Sequence, residues 1–239
     1  MELTLDSIKD IKLYQPKRGY RFSVDALLLF DFISLTKPSR GVELGTGSGI
    51  ISLLVARKFK KAEITGIEIQ KMLAGCAEKN IKLNRVDDRV RIINEDIRNI
   101  KKVLPANKFD LVFSNPPFRK TKTGRLSADN GRAVARHEIK ISLPDIIEAA
   151  SYLLKHAGKF YLIYHPFRLA ELISLLQKEG LEPKRMRFVH SREGEEAKMV
   201  LIEAVKGSGT WLKIEPPLYI HKKGKEYTDE MKRVYGDLS

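Results

Sequence analysis

Between an apolar run and a helix-period segment lies Glu43-Leu44-Gly45-Thr46-Gly47-Ser48-Gly49. Glycines permit a tight turn and close approach of a ligand to the backbone, and a helix N-terminus behind them offers free N–H groups. A dinucleotide loop shows Gly-x-Gly-x-x-Gly. Here the spacing is Gly-x-Gly-x-Gly, with an acid two positions before the first glycine. A carboxylate there sits badly beside a pyrophosphate and suits a cationic ligand. Glu68 follows Gly45 by 23 residues; an acid at about that distance chelates ribose hydroxyls in nucleoside-binding α/β folds. Asp96, in Asn94-Glu95-Asp96-Ile97, has the chemistry to accept a hydrogen bond from an adenine amino group. An acid at a strand end also serves as a turn residue or N-cap.

A second site is Ser114-Asn115-Pro116-Pro117-Phe118. Two prolines fix φ and remove two donors, and the residue before each is driven to extended backbone. The Asn115 amide and the nearby carbonyls, that of Pro116 among them, are thereby held stiffly. An amide oxygen and a backbone carbonyl together accept from one NH2 group, and Phe118 is placed to stack on a planar group. These parts suit an exocyclic amine that loses ring conjugation before its lone pair attacks a methyl group. Such a transfer is an in-line displacement that needs positioning and hydrogen bonds, and no metal or general base. The five histidines have no ligand spacing, so no metal is expected. Residues 119–140 follow, with Arg119, Lys120, Lys122, Arg125, Arg132, Arg136 and Lys140 against Asp129 and Glu138, a local charge of +5. A basic loop beside a reaction site is a natural phosphate contact, although charged loops are also commonly no more than solvated surface.

The elements needed to position these residues are legible. From residue 40 onward short β-rich runs (41–44, 64–69, 90–93, 109–113, 160–164) alternate with helical segments (50–59, 71–84, 142–156, 167–179), which predicts right-handed crossovers and a mostly parallel sheet. Residues 184–190 and 199–205 are strand-like with no helix between them, so they are predicted to pair antiparallel. The fold class is α/β, with that hairpin at the C-terminal edge. Residues 1–39 are expected to form a helical or irregular cap, 40–209 the main domain, and 210–239 a polar basic tail.

This pattern resembles the class I S-adenosylmethionine-dependent methyltransferases over about residues 40–205. The resemblance implies a seven-stranded Rossmann-like sheet with helices on both faces. It implies that Glu43 lies near the methionine end of S-adenosylmethionine, that Gly45, Gly47 and Gly49 frame the loop beneath it, that Glu68 holds the ribose and that Asp96 reads the adenine. Asn-Pro-Pro-Phe is similar to the motif of methyltransferases acting on a conjugated NH2: adenine N6, guanine N2 or a glutamine amide. Three further stretches, 19–26, 135–138 and 196–204, resemble the bacterial adenine-N6 methyltransferases that modify position 37 of a valine tRNA. On that likeness Tyr20, Phe22 and Asp25 cover the cofactor's methionine end and Lys198 lies near the bound tRNA. Guanine-N2 methylation of rRNA and glutamine-N5 methylation of a protein stay open within the class. A non-catalytic RNA-binding module is the reading from another class, and intact Glu43, Gly45, Gly47, Glu68, Asp96 and Asn115 argue against it. A nicotinamide dehydrogenase would need different glycine spacing and would leave Asn-Pro-Pro-Phe without a role.

Composition fits an RNA partner. The 239 residues carry 44 Lys and Arg against 30 Asp and Glu, a net charge of +14, and each cation on a phosphate releases counterions. The single cysteine, Cys76, excludes a disulfide framework. No basic segment leads into an apolar run, and the most apolar window, 24–35, is interrupted by Asp25 and Asp31. A cytoplasmic protein with no membrane segment is expected, with a monomer the favoured form.

The basic loop generates a test. Neutralising Arg119, Lys120, Lys122 and Arg125 together is expected to weaken tRNA binding and to reduce its log–log salt slope by roughly 0.7–0.9 per lost phosphate contact. Titrations of tRNA at several salt concentrations measure this. Unchanged slope and affinity would make the loop a solvated surface.

Overall fold

The computed structural model of the chain describes residues 3–8, 11–17, 23–37, 39–116 and 141–236. The N-terminal segment is not the helical or irregular cap expected. It opens with an antiparallel hairpin, β1 (Leu3–Ile8) and β2 (Ile11–Pro16), and continues into α1 (Val24–Phe32). Ile11 and Leu13 are buried while Lys12 between them is exposed, the period-two pattern of a strand with one covered face.

The main sheet contains β3 (Ser39–Leu44), β4 (Ala62–Glu68), β5 (Val90–Asn94), β6 (Phe109–Ser114), β7 (Leu154–Tyr164), β8 (Leu181–His190) and β9 (Ala197–Lys206). Their spatial order is β8-β9-β7-β6-β3-β4-β5. The five strands β3 to β7 run parallel, and β9 is antiparallel to both β7 and β8. This is the seven-stranded Rossmann-like sheet with an antiparallel hairpin. Two short strands, β10 (Lys213–Ile214) and β11 (Leu218–Tyr219), add to it, both parallel to β8. The strand order reverses between β3 and β6, and the crevice at such a reversal is where open α/β sheets bind ligands.

The helices are α2 (Ile50–Lys58), α3 (Lys71–Leu83), α4 (Ile100–Val103), α5 (Leu143–Leu153), α6 (Leu169–Lys178) and α7 (Asp229–Gly236). They cover both faces. Leu111 and Phe113 enter one apolar cluster with α1, α2 and α7, while Val112 enters the other with α5 and α6. Tyr161 and Ile163 divide from Phe160 and Leu162 in the same way. Strands covered on both faces read as continuous apolar runs.

Two further boundaries differ from the sequence expectation. Helix α5 stops at Leu153, not His156, and β7 begins at once, well before Phe160. Its start is set by a Ser142–Asp145 capping box with a proline in the first turn. Residues 210–236 are also no free tail. Met231 and Val234 of α7 pack into the core that holds α1, and Thr228 Oγ1 accepts from the Met231 N–H at 3.1 Å. Two apolar residues three apart among charged neighbours make too thin a stripe to announce a helix.

Replacing Met231 by alanine is therefore expected to cost about 2–5 kcal/mol of folding stability, read by urea denaturation. A variant as stable as wild type would place α7 outside the cooperative core.

Candidate active site

The carboxyl ends of the parallel strands form one edge. Glu43 of β3 pairs in register with Gly66 and Phe113, Glu68 ends β4 beside Asn94, and Ser114 ends β6 beside Leu162 of β7. The Ser114 hydroxyl donates to the Leu44 carbonyl at 2.8 Å, tying the ends of β6 and β3 together. Asn115 is half-buried and Pro116 buried immediately beyond.

The loop between β3 and α2 turns on its glycines. Gly45, Gly47 and Gly49 have φ of +76°, +58° and +82°. The Gly45 and Thr46 N–H groups both donate to the Ile67 carbonyl at 2.9 Å, which bends the loop over the end of β4. A Cβ on Gly45 would meet nothing within 4 Å, so this glycine borders open space. A Cβ on Gly49 would come within 3.1 Å of the Ala77 Cβ, so that glycine lets α2 and α3 approach.

Two buried carboxyls fasten the loop. Glu43 is 2% exposed, and its Oε2 accepts from the Thr46 hydroxyl at 2.6 Å, the Ser52 hydroxyl at 2.5 Å and the Ser52 N–H at 3.0 Å. Burial pushes its pKa up to about 7, against the opposing effect of those bonds. Glu43 thus braces the loop against the first turn of α2. Glu68 Oε2 accepts from the Gly47 N–H at 2.9 Å, and Oε1 from the Gln70 N–H at 2.8 Å. Burial raises its pKa also. Each carboxylate oxygen has a second lone pair, so Glu68 keeps capacity for a further donor such as a hydroxyl.

Asp96 realises the N-cap alternative. It caps the turn Ile97–Asn99 by accepting from the Arg98 N–H at 2.9 Å, and it holds the Arg98 guanidinium. That pairing keeps its carboxyl below the usual carboxylate range. Adenine would meet a carboxylate already engaged by Arg98.

Lys198 is exposed at the start of β9. Because β9 runs antiparallel to β7, its start lies at the same edge as Asn115. Phe22, Phe118, Arg119, Lys120, Lys122 and Arg125 lie outside the described residues, as do Tyr20 and Pro117. Among the described residues no group of three or more His, Cys, Asp or Glu side chains is arranged to hold a metal ion. No helix among them is long and apolar enough to cross a membrane.

Sequence reasoning missed Thr46, Ser52 and Asn80. The Asn80 side chain is fully buried. It donates to the Ser48 carbonyl in the loop and to the Tyr14 carbonyl in β2, each at 2.9 Å, and accepts from the Tyr14 N–H at 2.6 Å. One turn on, Asn84 exchanges the same pair of bonds with Lys12, at 3.2 and 2.7 Å. The only sequence signal was a pair of amides four apart at the apolar margin of a helix.

Known proteins bear on this geometry. The family model described as the methyltransferase small domain matches residues 23–179. A Porphyromonas gingivalis protein of strain W83, described as a tRNA1(Val) (adenine(37)-N6)-methyltransferase, is 34% identical over 209 residues, 85% of this chain and 81% of that protein. Its counterpart in strain ATCC 33277 is 34% identical over 168 residues; that match spans 70% of this chain and 65%, just under two thirds, of the relative. A solved structure described as a predicted O-methyltransferase from Agrobacterium tumefaciens superposes with a TM-score of 0.73 at 25% identity, covering 90% of this chain and 97% of that one.

The buried brace sets a pH dependence. With its pKa raised from 4.5 to about 7, Glu43 holds its proton longer folded than unfolded. Its favourable contribution is complete below the unfolded value and is lost as pH rises through the folded one. Wild type is therefore expected to lose stability relative to Glu43→Gln between about pH 5 and pH 8, on the order of 3 kcal/mol in all. Urea denaturation across that range measures it. A difference independent of pH would mean that the brace is ionised throughout.

Proposed function

Because this chain belongs to the methyltransferase small domain family, we propose that it transfers a methyl group from S-adenosylmethionine to the exocyclic N6 of an adenine in tRNA, at position 37 of a valine tRNA. The observation that carries the reading is the placement of Asn115 and Pro116 at the end of β6, beside the glycine loop and joined to it through Ser114 and Leu44. The activity in the names of the 34%-identical relatives supports adenine in tRNA over guanine or glutamine. The net charge of +14 supports a polyanionic substrate. A tRNA substrate implies work in the cytoplasm.

The residues fit the cofactor. The Gly45 position borders open space, and the Ser48 hydroxyl in the same loop is buried with no hydrogen-bond partner among the described residues. The loop from Gly45 to Gly49 would lie against the methionine part and Glu68 would take the ribose hydroxyls. When bound, the cofactor supplies an electrophilic methyl group on a sulfonium. The protein's task is to present the amine. The Asn115 amide oxygen and the Pro116 carbonyl accept its two N–H groups, which turns the nitrogen lone pair out of conjugation and toward the methyl. As the nitrogen gains positive charge those acceptors bind it more tightly, so their contribution is largest in the transition state. The proton then becomes acidic and leaves to water. Pro116 locks the backbone so that no reorganisation is needed at that moment.

Asn115→Ala is expected to leave S-adenosylmethionine affinity unchanged and to lower turnover on tRNA by roughly 100- to 1,000-fold. Methyl transfer from labelled cofactor, with nucleoside mass spectrometry of the product, measures both the rate and the base. N6-methyladenosine is the expected product. Label in guanosine or in protein would redirect the substrate, and full activity of Asn115→Ala would sink the mechanism.

A further inference from the structure

An aromatic ring stands uncovered beside the proposed site. Phe167 is 68% exposed. It lies in the turn Pro166–Arg168, which follows the carboxyl end of β7 and precedes α6. β7 is the immediate neighbour of β6, about 4.8 Å away across the sheet, and Asn115 follows β6 at the same edge.

The turn is held firmly. Arg168 donates to the Tyr164 hydroxyl at 2.7 Å and is itself paired with Glu171. His165 Nδ1 is 3.2 Å from the Lys198 carbonyl oxygen, which fixes the turn beside the start of β9. The Phe167 ring lies on the His165 ring, centroids 5.2 Å apart and planes 26° from parallel. Two nearly parallel rings thus form a short stack, with Phe167 left largely to solvent.

Single exposed apolar residues are ordinary. Its place beside β6 and its stack on a second ring separate this one from Trp211, and from Met72, which is exposed at the start of α3 on the far side of β3. Trp211 is equally exposed, at 67%, but it follows the far end of β9, at the opposite edge of the sheet. Phe167 follows the strand next to β6, at the edge where Asn115 lies. Methylation of a base requires it to leave its stack, and the base next to it then loses a stacking partner. An aromatic face replaces that partner with little dependence on base identity, since every base has a π-face.

We propose that Phe167, backed by His165, is a stacking platform for an unpaired nucleotide adjacent to the target adenosine, with Lys198 on the neighbouring phosphate. The subsite rests on the tRNA reading above. It takes a planar base, and no charge is exchanged at the ring.

The test uses the full chain with a tRNA transcript and with anticodon stem-loops carrying an abasic nucleotide on one or the other side of the target. Phe167→Ala is expected to raise the tRNA Kd by roughly 5- to 150-fold, the equivalent of one lost base stack. S-adenosylmethionine affinity and the salt slope should stay as in wild type, and Phe167→Tyr should restore binding. Lys198→Ala should instead reduce the salt slope by roughly 0.7–0.9. One of the two abasic stem-loops should bind wild type as weakly as intact RNA binds Phe167→Ala, with no further loss when both changes are combined. If Phe167→Ala binds and methylates tRNA like wild type, or if its effect adds in full to both abasic effects, the platform is overturned while the tRNA reading stands. If wild type itself neither binds nor methylates tRNA, both fall.

Discussion

The loop between β3 and α2 has little shape of its own, because glycine pays the largest backbone entropy to be ordered. Buried carboxyls order it. Glu43 gathers two hydroxyls and an N–H from Thr46 and Ser52, and Glu68 takes the Gly47 N–H. Neither carboxyl is neutralised by a cation in these contacts. Their bonds come from dipoles, which stabilise a negative charge without cancelling it. Burial raises both pKa values, and Glu68 works against the ionisation of Glu43. A positive ligand beside them relieves that cost where a pyrophosphate would deepen it. The same arrangement that shapes the backbone thereby suits the sulfonium of the proposed cofactor.

The brace reaches further through Asn80. Its amide ties the loop at Ser48 to the N-terminal hairpin at Tyr14. Asn80 and Asn84 bond to alternate residues of β2, so the end of α3 stands in for a neighbouring strand and covers an edge that would otherwise be open to pairing. A buried amide that lost one of these partners would leave an unsatisfied group in the core, which costs about 1–3 kcal/mol. The hairpin, the helix and the loop are therefore one mechanical unit.

This unit also explains what could be read from the chain and what could not. The glycine loop, Glu68 and Asn115-Pro116 are legible because each chemical role is written in adjacent residues at a strand end, where the α/β pattern fixes which edge they face. The alternation of β3 to β7 with helices was legible for the same reason. The hairpin was not. Its anchors in α3 lie 66 and 72 residues away, and no local periodicity records a partner at that distance. Asp96 was ambiguous in the sequence, since the same carboxylate suits a cap or a ligand, and what the structure adds is the cap, through Arg98 two residues on. Helix α7 was hidden because Met231 and Val234 are its only fully buried residues, with Tyr235 partly buried beside them.

The sheet divides its work by strand direction. Parallel strands all point their carboxyl ends to one edge, so β3, β4 and β6 deliver the loop, Glu68 and Asn115 together. Helix α6 carries the chain from β7 to β8, which runs in the same direction as β3 to β7 but leaves one strand's width between itself and β7. The chain then reverses and inserts β9 antiparallel between β8 and β7. An inserted antiparallel strand enters the sheet from the edge that the others leave. Its first residues, Ala197 and Lys198, and the last of β8, His190, therefore lie at the same sheet edge as the end of β6. His190 is held there by the Glu195 carbonyl, 2.7 Å from its Nδ1. The reversal in strand direction thus brings the start of β9 to the same sheet edge at which β3, β4 and β6 end. The ends of β3 and β4 carry the glycines and buried acids, and the end of β7 and start of β9 carry exposed Phe167 and Lys198. The proposed cofactor and RNA contacts therefore fall on neighbouring strands of one sheet edge, with Asn115 just past β6 between them.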